Sequence, residues 1–320
     1  MIDATPSTVP RFDVRLTAPD LRPWREGNTG IQGFTTRAGA VPGPHVAVLA
    51  LAHGNEIAGA IALDRLLRAD ITPTHGRLTF GFVNLAAFQR FDPRQPTLSR
   101  FVDEDINRLW DIAVLDGPGR SCELTRAREI RPFIDTVDVL LDLHSMLWAS
   151  DPLMLSGGTE KGRRLARGIG IPGLVVADHG HVGGPRLIDY TRFSDPRTPF
   201  MANLVEAGQH WEPETVDTAL AAVAGLLRHL DMCPETPVLP SRPRRARQRM
   251  AEVTQAVTAG SSGFAFVQPW RGGDVIAARN TLIALDGETE IRTPYDECLL
   301  VMPSLRPSRG HTAVRLARFV

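Results

Sequence analysis

Cysteine is scarce in this chain: three residues out of 320, Cys122, Cys233 and Cys298. An odd number at unrelated spacings suits neither a disulfide framework nor a cysteine zinc knuckle. Free thiols in a reducing, cytoplasmic setting are the simplest expectation. Net charge is missing too. Lys plus Arg and Asp plus Glu balance at 36 each, so no overall field draws in nucleic acid or an anionic membrane. A small-molecule partner is expected instead, and a homo-oligomer is compatible with this composition. The opening stretch MIDATPSTVPRFDVRL has no basic segment leading into an apolar run, and no segment reads as a membrane span. Internal repeats and low-complexity tracts are also absent.

What is present is the balance of a globular enzyme: 43% hydrophobic and 22% charged residues, enough to bury a large core without crosslinks. The length suits one α/β catalytic domain carrying a smaller module. Residues 1–44 mix Pro, Gly and Thr with short alternating stretches and are expected to form an N-terminal arm or edge hairpin. From His45 the pattern is regular. HVAVLALA reads as a buried strand and EIAGAIALDRLLRA as a helix. RLTFGFV, DVLLDLHS, GLVVAD and FMANLVEAG read as further strands, and ELTRAREIRPFIDTV as an amphipathic helix. Alternation of strands and helices predicts an α/β fold, with a mixed, mostly parallel sheet flanked by helices.

A helix from Pro213 to about Leu230 closes a domain expected over 45–235. The Pro- and Arg-rich stretch 236–248 reads as a linker. Residues 249–320 show short strands broken by Gly and Asp-Gly, and predict a small C-terminal β module. The basic cluster Arg242, Arg244, Arg245, Arg247 and Arg249 lacks interleaved aromatics and reads as a solvated linker rather than a nucleic-acid site.

The chemistry concentrates at strand ends. Ala52-His53-Gly54-Asn55-Glu56 puts a histidine after a buried strand and a carboxylate in the first turn of the next helix. Parallel sheets bind ligands outside the carboxyl ends of their strands. Histidine nitrogen with carboxylate oxygen is a common zinc donor set, and a catalytic zinc usually takes three protein ligands. His144, at the end of DVLLDLH, supplies the third, so His53, Glu56 and His144 are the expected ligands of one Zn²⁺ per chain. A lone histidine at a strand end is more often a hydrogen-bonded structural group; the three together favour the metal. Asp142, two residues earlier on the same face, can support a ligand or serve as a plain structural hydrogen-bond acceptor. The His179/His181 pair lies in a Gly-rich loop and is expected at a substrate entrance or exposed.

HGNE, the NLAA at Asn84, DINR at Asp105 to Arg108, DLH at Asp142 to His144 and VEAG at Val205 to Gly208 occur in an order that resembles the succinylglutamate desuccinylase/aspartoacylase family. The resemblance covers roughly residues 45–210. It implies a zinc carboxypeptidase-like fold and a hydrolase that cleaves the amide of N-acyl amino acids. Carried over position by position, His53, Glu56 and His144 match the zinc ligands and Glu206 the catalytic glutamate. Asn107 and Arg108 match the pair that holds the substrate carboxylate, and Arg100 an arginine near the scissile carbonyl.

Before Glu206 the family's substrate-reading Tyr/Arg register is altered. Tyr190, Arg192 and Arg197 are available, with Arg197 the nearest and the expected substrate contact; Tyr295 is a weak candidate for a tyrosine that the C-terminal module contributes in some members. The resulting expectation is a zinc-dependent amidohydrolase acting on an N-acyl amino acid. The alternatives are a zinc carboxypeptidase acting on peptide C-termini and a metal-dependent binding protein without turnover; retention of Glu206 argues against the latter.

Overall fold

The structure, a computed structural model, describes residues 11–234, 236–241 and 248–320. The first strands are an edge strand, β1 (Phe34–Ala38), and the long β2 (Val41–Ala50). Helix α1 (Ile57–Arg68) leads into β3 (His75–Phe82). Two short helices, α2 (Leu85–Phe88) and α3 (Ile112–Leu115), precede α4 (Cys122–Ile134) and β4 (Val139–Met146). Then come β5 (Leu153–Leu155), α5 (Glu160–Ile169), β6 (Leu174–Ala177), α6 (Thr191–Ser194), β7 (Met201–Gln209) and α7 (Pro213–His229). Seven further strands follow: β8 (Arg249–Thr258), β9 (Phe264–Phe266), β10 (Val275–Ile276), β11 (Leu282–Asp286), β12 (Thr289–Arg292), β13 (Cys298–Val301) and β14 (Thr312–Phe319). None of the described helices is long and apolar enough to cross a membrane.

One sheet runs in the order β1-β3-β2-β4-β7-β5-β6-β8-β14-β13-β10, and β12-β11-β9 form a second, small antiparallel sheet. The centre is parallel: β2 pairs with both β3 and β4, and β4 with β7. Beyond β8 all pairings are antiparallel. This is the mixed, mostly parallel sheet flanked by helices, with a small β module, that the alternation of elements predicts. β6 pairs with β8, so the C-terminal strands extend the main sheet.

The central strands are apolar on both faces because helices cover both. On β2, Val46, Val48 and Ala50 face the core under α1 and α7, while Ala47 and Leu49 face the core under α4. Val46, Val48 and Leu49, fully buried, each stabilise the fold by about 1.5–3 kcal/mol on transfer grounds. Gly59 lets α1 lie close on the sheet: a Cβ there would meet the Ala50 and Leu143 side chains at 3.1 and 3.2 Å.

The chain leaves β2 through α1 to β3 on one side, then returns to β4 on the other. The strand order therefore reverses at β2, which opens a crevice at the carboxyl ends of β2 and β4, where α/β sheets bind ligands.

Of the expected N-terminal arm, residues 1–10 lie outside the described residues, as do Arg242, Arg244, Arg245 and Arg247. Arg249 opens β8, and its guanidinium lies 4.6 Å from the centre of the Phe319 ring. Cys122, Cys233 and Cys298 are all free thiols.

Candidate active site

The crevice carries the residues singled out above. His53 follows β2, Glu56 is the N-cap of α1, His144 lies on β4, and Glu206 sits directly across from His144 on β7. All four are lining residues of one cavity of about 950 Å³. Glu56 spends no oxygen on capping its own helix. Its carboxylate turns inward, 2.7 Å from His53 Nδ1 and 3.0 Å from His144 Nδ1. The positive N-terminus of α1 favours an anion at that position. Burial works against the charge, but the two imidazoles outweigh it and hold Glu56 well below the usual carboxylate range.

Each histidine is anchored by a carboxylate on its far nitrogen. His53 Nε2 donates to Asp105 Oδ1 at 2.8 Å, and His144 Nε2 donates to Asp142 Oδ2 at 2.8 Å. Carboxylates behind both rings fix their orientation and keep each Nδ1 turned toward Glu56, where a ring that has lost its Nδ1 proton presents a lone pair to a metal. For His144, burial opposes protonation, but Asp142 and Glu56 prevail and hold its pKa well above the ordinary histidine value. Of the two readings open for Asp142, the hydrogen bond to His144 favours support of the ring.

The ligand atoms of His53, Glu56 and His144 lie within 4.8 Å of one another, and all three residues are buried. Two imidazole nitrogens and a carboxylate oxygen, each oriented from behind, are a donor set that can hold a metal ion. Glu206 adds to the fit. Its Oε2 is buried with no hydrogen-bond partner among the described residues, an expensive arrangement for a carboxylate unless an ion or a reacting group engages it. Burial first, and Glu56 next to it, push the Glu206 carboxyl up to about 7 against the opposing pull of His144.

Arg100 bridges two of these carboxylates. Its guanidinium is 3.0 Å from Asp105 Oδ2 and 3.5 Å from Glu56 Oε1. Asn107 Oδ1 accepts the Leu187 backbone N–H at 2.7 Å, and its amide NH₂ lies 3.5 Å from His144 Nε2. Arg108 lines the cavity beside it.

The loop that carries Arg100 and Asp105 is pinned by Glu123, which the sequence reading passed over. This buried carboxylate on α4 accepts the backbone N–H groups of Val102, Asp103 and Glu104 and the side-chain amide of Asn84. A glutamate early in an amphipathic helix gave no sign of that role. Asp105 was visible only as part of the DINR motif, without a partner. His210, buried against Ser145 Oγ at 2.7 Å, and Arg186 and Arg315 also line the cavity; none stood out in the sequence.

Arg197 is a correction. Its side chain is 87% exposed and is closed on Asp195 at 2.7 Å, on the turn after α6 and away from the cavity lining. The reason is local: Asp195 is two residues away and captures the guanidinium before it can reach the sheet edge. Tyr190 is buried with its hydroxyl on Asp135 and Arg131, Arg192 reaches the Val137 carbonyl, and Tyr295 bonds Thr254. The loop histidines divide, with His181 lining the cavity and His179 exposed against Glu252.

Gly54 makes the junction possible. Its N–H bonds the Arg100 carbonyl at 3.0 Å, and a Cβ there would lie within 2.3 to 2.5 Å of backbone atoms of Ala87, Phe88 and Ser99. Gly54→Ala is expected to push these segments apart and lower stability by about 1–3 kcal/mol, with reduced metal content. An unchanged melting temperature and metal content would show that the contact does not matter.

Residues 42–178 match the family model of the succinylglutamate desuccinylase/aspartoacylase catalytic domain. No curated protein matches the chain by sequence. Among solved structures, the chain is similar to a succinylglutamate desuccinylase from Vibrio cholerae, at 17% identity and TM-score 0.64 over 90% of this chain and 85% of that one. It is also similar to a succinylglutamate desuccinylase/aspartoacylase from Rhodobacter sphaeroides, at 18% identity and TM-score 0.65 over 90% and 88%. A product-bound ectoine utilization protein from Ruegeria pomeroyi is similar at 16% identity and TM-score 0.58 over 89% and 88%. These likenesses establish the fold. The stretch that matches the succinylglutamate desuccinylase/aspartoacylase catalytic-domain model, residues 42–178, contains His53, Glu56, Asn107, Arg108 and His144.

Proposed function

We propose that the protein is a zinc-dependent amidohydrolase that cleaves the acyl amide of an N-acyl amino acid or a similar small, carboxylate-bearing amide. The observation that carries this reading is the buried His53–Glu56–His144 group with Glu206 beside it on the next strand. His53 and His144, through Nδ1, and Glu56 would hold one zinc ion. When bound, the ion supplies Lewis acidity, polarising a carbonyl and acidifying water.

The residues of the chain do the rest. Glu206 takes a proton from the attacking water and delivers it to the leaving nitrogen; its pKa, raised by burial, suits a group that must accept and then give up a proton near neutrality. Arg100 faces the oxygen on which negative charge develops. Asn107 and Arg108 hold the substrate carboxylate, Arg108 through a guanidinium fork that matches it. The products are a carboxylic acid and an amine. We read residues 45–235 as the hydrolase unit and 249–320 as a module that covers its cavity; Met302, His311 and Arg315 of that module are in the lining.

A screen of N-acetyl, N-succinyl and aromatic N-acyl amino acids with the zinc-loaded protein, run beside peptides, tests the reading. Turnover of peptide C-termini alone would favour a carboxypeptidase, and metal binding without turnover of any of them would leave a binding protein. Arg108→Ala is expected to raise KM, and Arg100→Ala mainly to lower kcat. Unchanged kcat/KM on a substrate whose carboxylate is capped as a methyl ester would remove the role given to Arg108.

A further inference from the structure

The loop from Arg100 to Asp105 brings two charged groups to the site, yet it has no strand or helix of its own. Its backbone donors need partners from elsewhere, and Glu123 of α4 supplies them. The Glu123 side chain is fully buried, and each of its oxygens takes two donors. Oε1 accepts the Val102 N–H at 2.6 Å and the Asn84 side-chain amide at 3.0 Å, while Oε2 accepts the Asp103 N–H at 3.0 Å and the Glu104 N–H at 3.2 Å. Three successive backbone N–H groups closed around one carboxylate form an anion-holding concavity. Burial alone would push this carboxyl up, but the four donors outweigh it and hold it below the usual carboxylate range.

The grip is reciprocal. Asp103, in the loop, accepts the Cys122 N–H on its Oδ2 at 2.7 Å, a first-turn donor of α4 that has no partner within the helix. Ser121 caps the Leu124 N–H beside it at 2.9 Å. The helix that carries Glu123 is firmly seated: Leu124, Ala127 and Ile130 lie in the core against the sheet, and Arg126 binds the Phe82 and Val83 carbonyls at the end of β3 at 3.2 and 2.7 Å. Asn84, which opens the NLAA stretch, ties the clasp to the end of β2 that leads into His53. Its N–H bonds the Leu51 carbonyl at 2.8 Å, and its Oδ1 caps α2 through the Ala87 N–H.

We propose that Glu123, answered from the loop by Asp103, is a positioning residue of the reaction: from a rigid helix it holds Arg100 beside Glu56 and Asp105 behind His53. The two groups flank the clasped N–H groups of residues 102–104 directly, so slack at those three positions reaches both. The loop ends are tied as well, the Arg100 carbonyl to the Gly54 N–H at 3.0 Å and Asp105 Oδ1 to the Asn107 N–H at 2.9 Å, but only Glu123 holds its middle to a packed element. Misplacing a working group by about 1 Å can cost on the order of 100-fold in rate. Asn107 has an anchor of its own in the Leu187 N–H, so substrate binding depends on the clasp less than Arg100 does. The part played through Arg100 rests on the deacylase reading; the part played through Asp105, on a bound metal, needs no turnover to be seen.

Glu123→Gln keeps the size of the side chain but offers one acceptor oxygen in place of two, so one pair of donors faces an NH₂ group. In the full chain at saturating zinc, kcat should fall about 10- to 100-fold, with KM changed less than about 3-fold. Zinc affinity, measured by competition with a chelating dye, should weaken about 10-fold, as loss of the support behind a ligand does. Two double-mutant cycles separate positioning from folding. Added to Arg100→Ala, Glu123→Gln should cost little further in kcat; added to Asp105→Asn, it should cost little further in zinc affinity.

A Glu123→Gln protein with a lower melting temperature but unchanged kcat and zinc affinity would make Glu123 structural only and overturn the proposal, as would losses that multiply in full in both cycles. If the wild type cleaves no N-acyl amino acid, the deacylase reading fails and the Asp105 cycle alone decides the clasp. Should Glu123→Gln fail to fold, Asp103→Ala opens the clasp from its exposed side. Zinc affinity and kcat should then fall about 2- to 10-fold, the worth of one helix-end hydrogen bond, and Asp103→Asn, whose amide oxygen can still accept the Cys122 N–H, should recover most of the loss. Unchanged values in Asp103→Ala overturn the clasp.

Discussion

Glu206→Gln is expected to lower kcat by about 100- to 10,000-fold, the usual contribution of a general acid–base group, while metal content and melting temperature stay near those of the wild type. The amide keeps the size of the side chain and can still accept a hydrogen bond, but it cannot take up a proton. Glu206 is buried beside the donor set, with a carboxyl pushed up to about 7 and an oxygen that no described residue satisfies. A neutral amide should therefore be tolerated at that position at least as well as a buried charge.

The sign of the pH dependence follows. In the metal-free protein the proton-accepting form of Glu206 is present above about 7, and a bound cation, by attracting the carboxylate, moves that boundary lower. Activity of the loaded enzyme should fall on the acid side as Glu206 becomes protonated. A folded, metal-loaded Glu206→Gln enzyme with near-normal single-turnover rates would defeat the mechanism.

His144→Ala is expected to lose most of the metal, and activity with it, because the remaining two ligands cannot complete the site. Stoichiometric metal retained in both His53→Ala and His144→Ala would mean that the ligands lie elsewhere. The wild-type protein adds a proton signature. Asp142 and Glu56 hold His144 well above its ordinary pKa, so in the metal-free protein the ring stays protonated through the ordinary histidine range near 6.5 and beyond. A metal needs the neutral ring. Binding near neutrality should therefore release protons, and affinity should weaken as the pH falls. Calorimetry in buffers of different ionisation enthalpy measures the release. Asp142→Asn, which removes the carboxylate that most strongly favours the charged ring, should reduce the release and lower metal affinity by about 10- to 100-fold, as loss of an orienting partner does.

The sequence by itself determined the parts of this protein whose signal is local. A short continuous apolar run such as HVAVLALA reads as a strand buried on both faces, and β2 is one. The HGNE junction fixes a histidine and a carboxylate three residues apart at a strand-to-helix turn, so their convergence follows from chain geometry. The positions of His144 and Glu206 were legible because each ends the apolar run of its strand, while the role of Glu206 came from the family resemblance.

Only the tertiary structure decided what depends on distant segments meeting. Glu123 holds the Arg100 loop from a helix about twenty residues away, and Asp105 reaches His53 across the crevice. Arg315 reaches the cavity from the last strand because β8 joins β6 and carries β14 into the same sheet. Arg197 went the other way. Its nearness to Glu206 in sequence suggested a role, but a side chain pairs with the charge it can reach at least cost, and for Arg197 that charge is Asp195, two residues away and at the surface. One arginine among many carries no mark of which carboxylate will neutralise it; that is set by burial, and burial is a property of the fold.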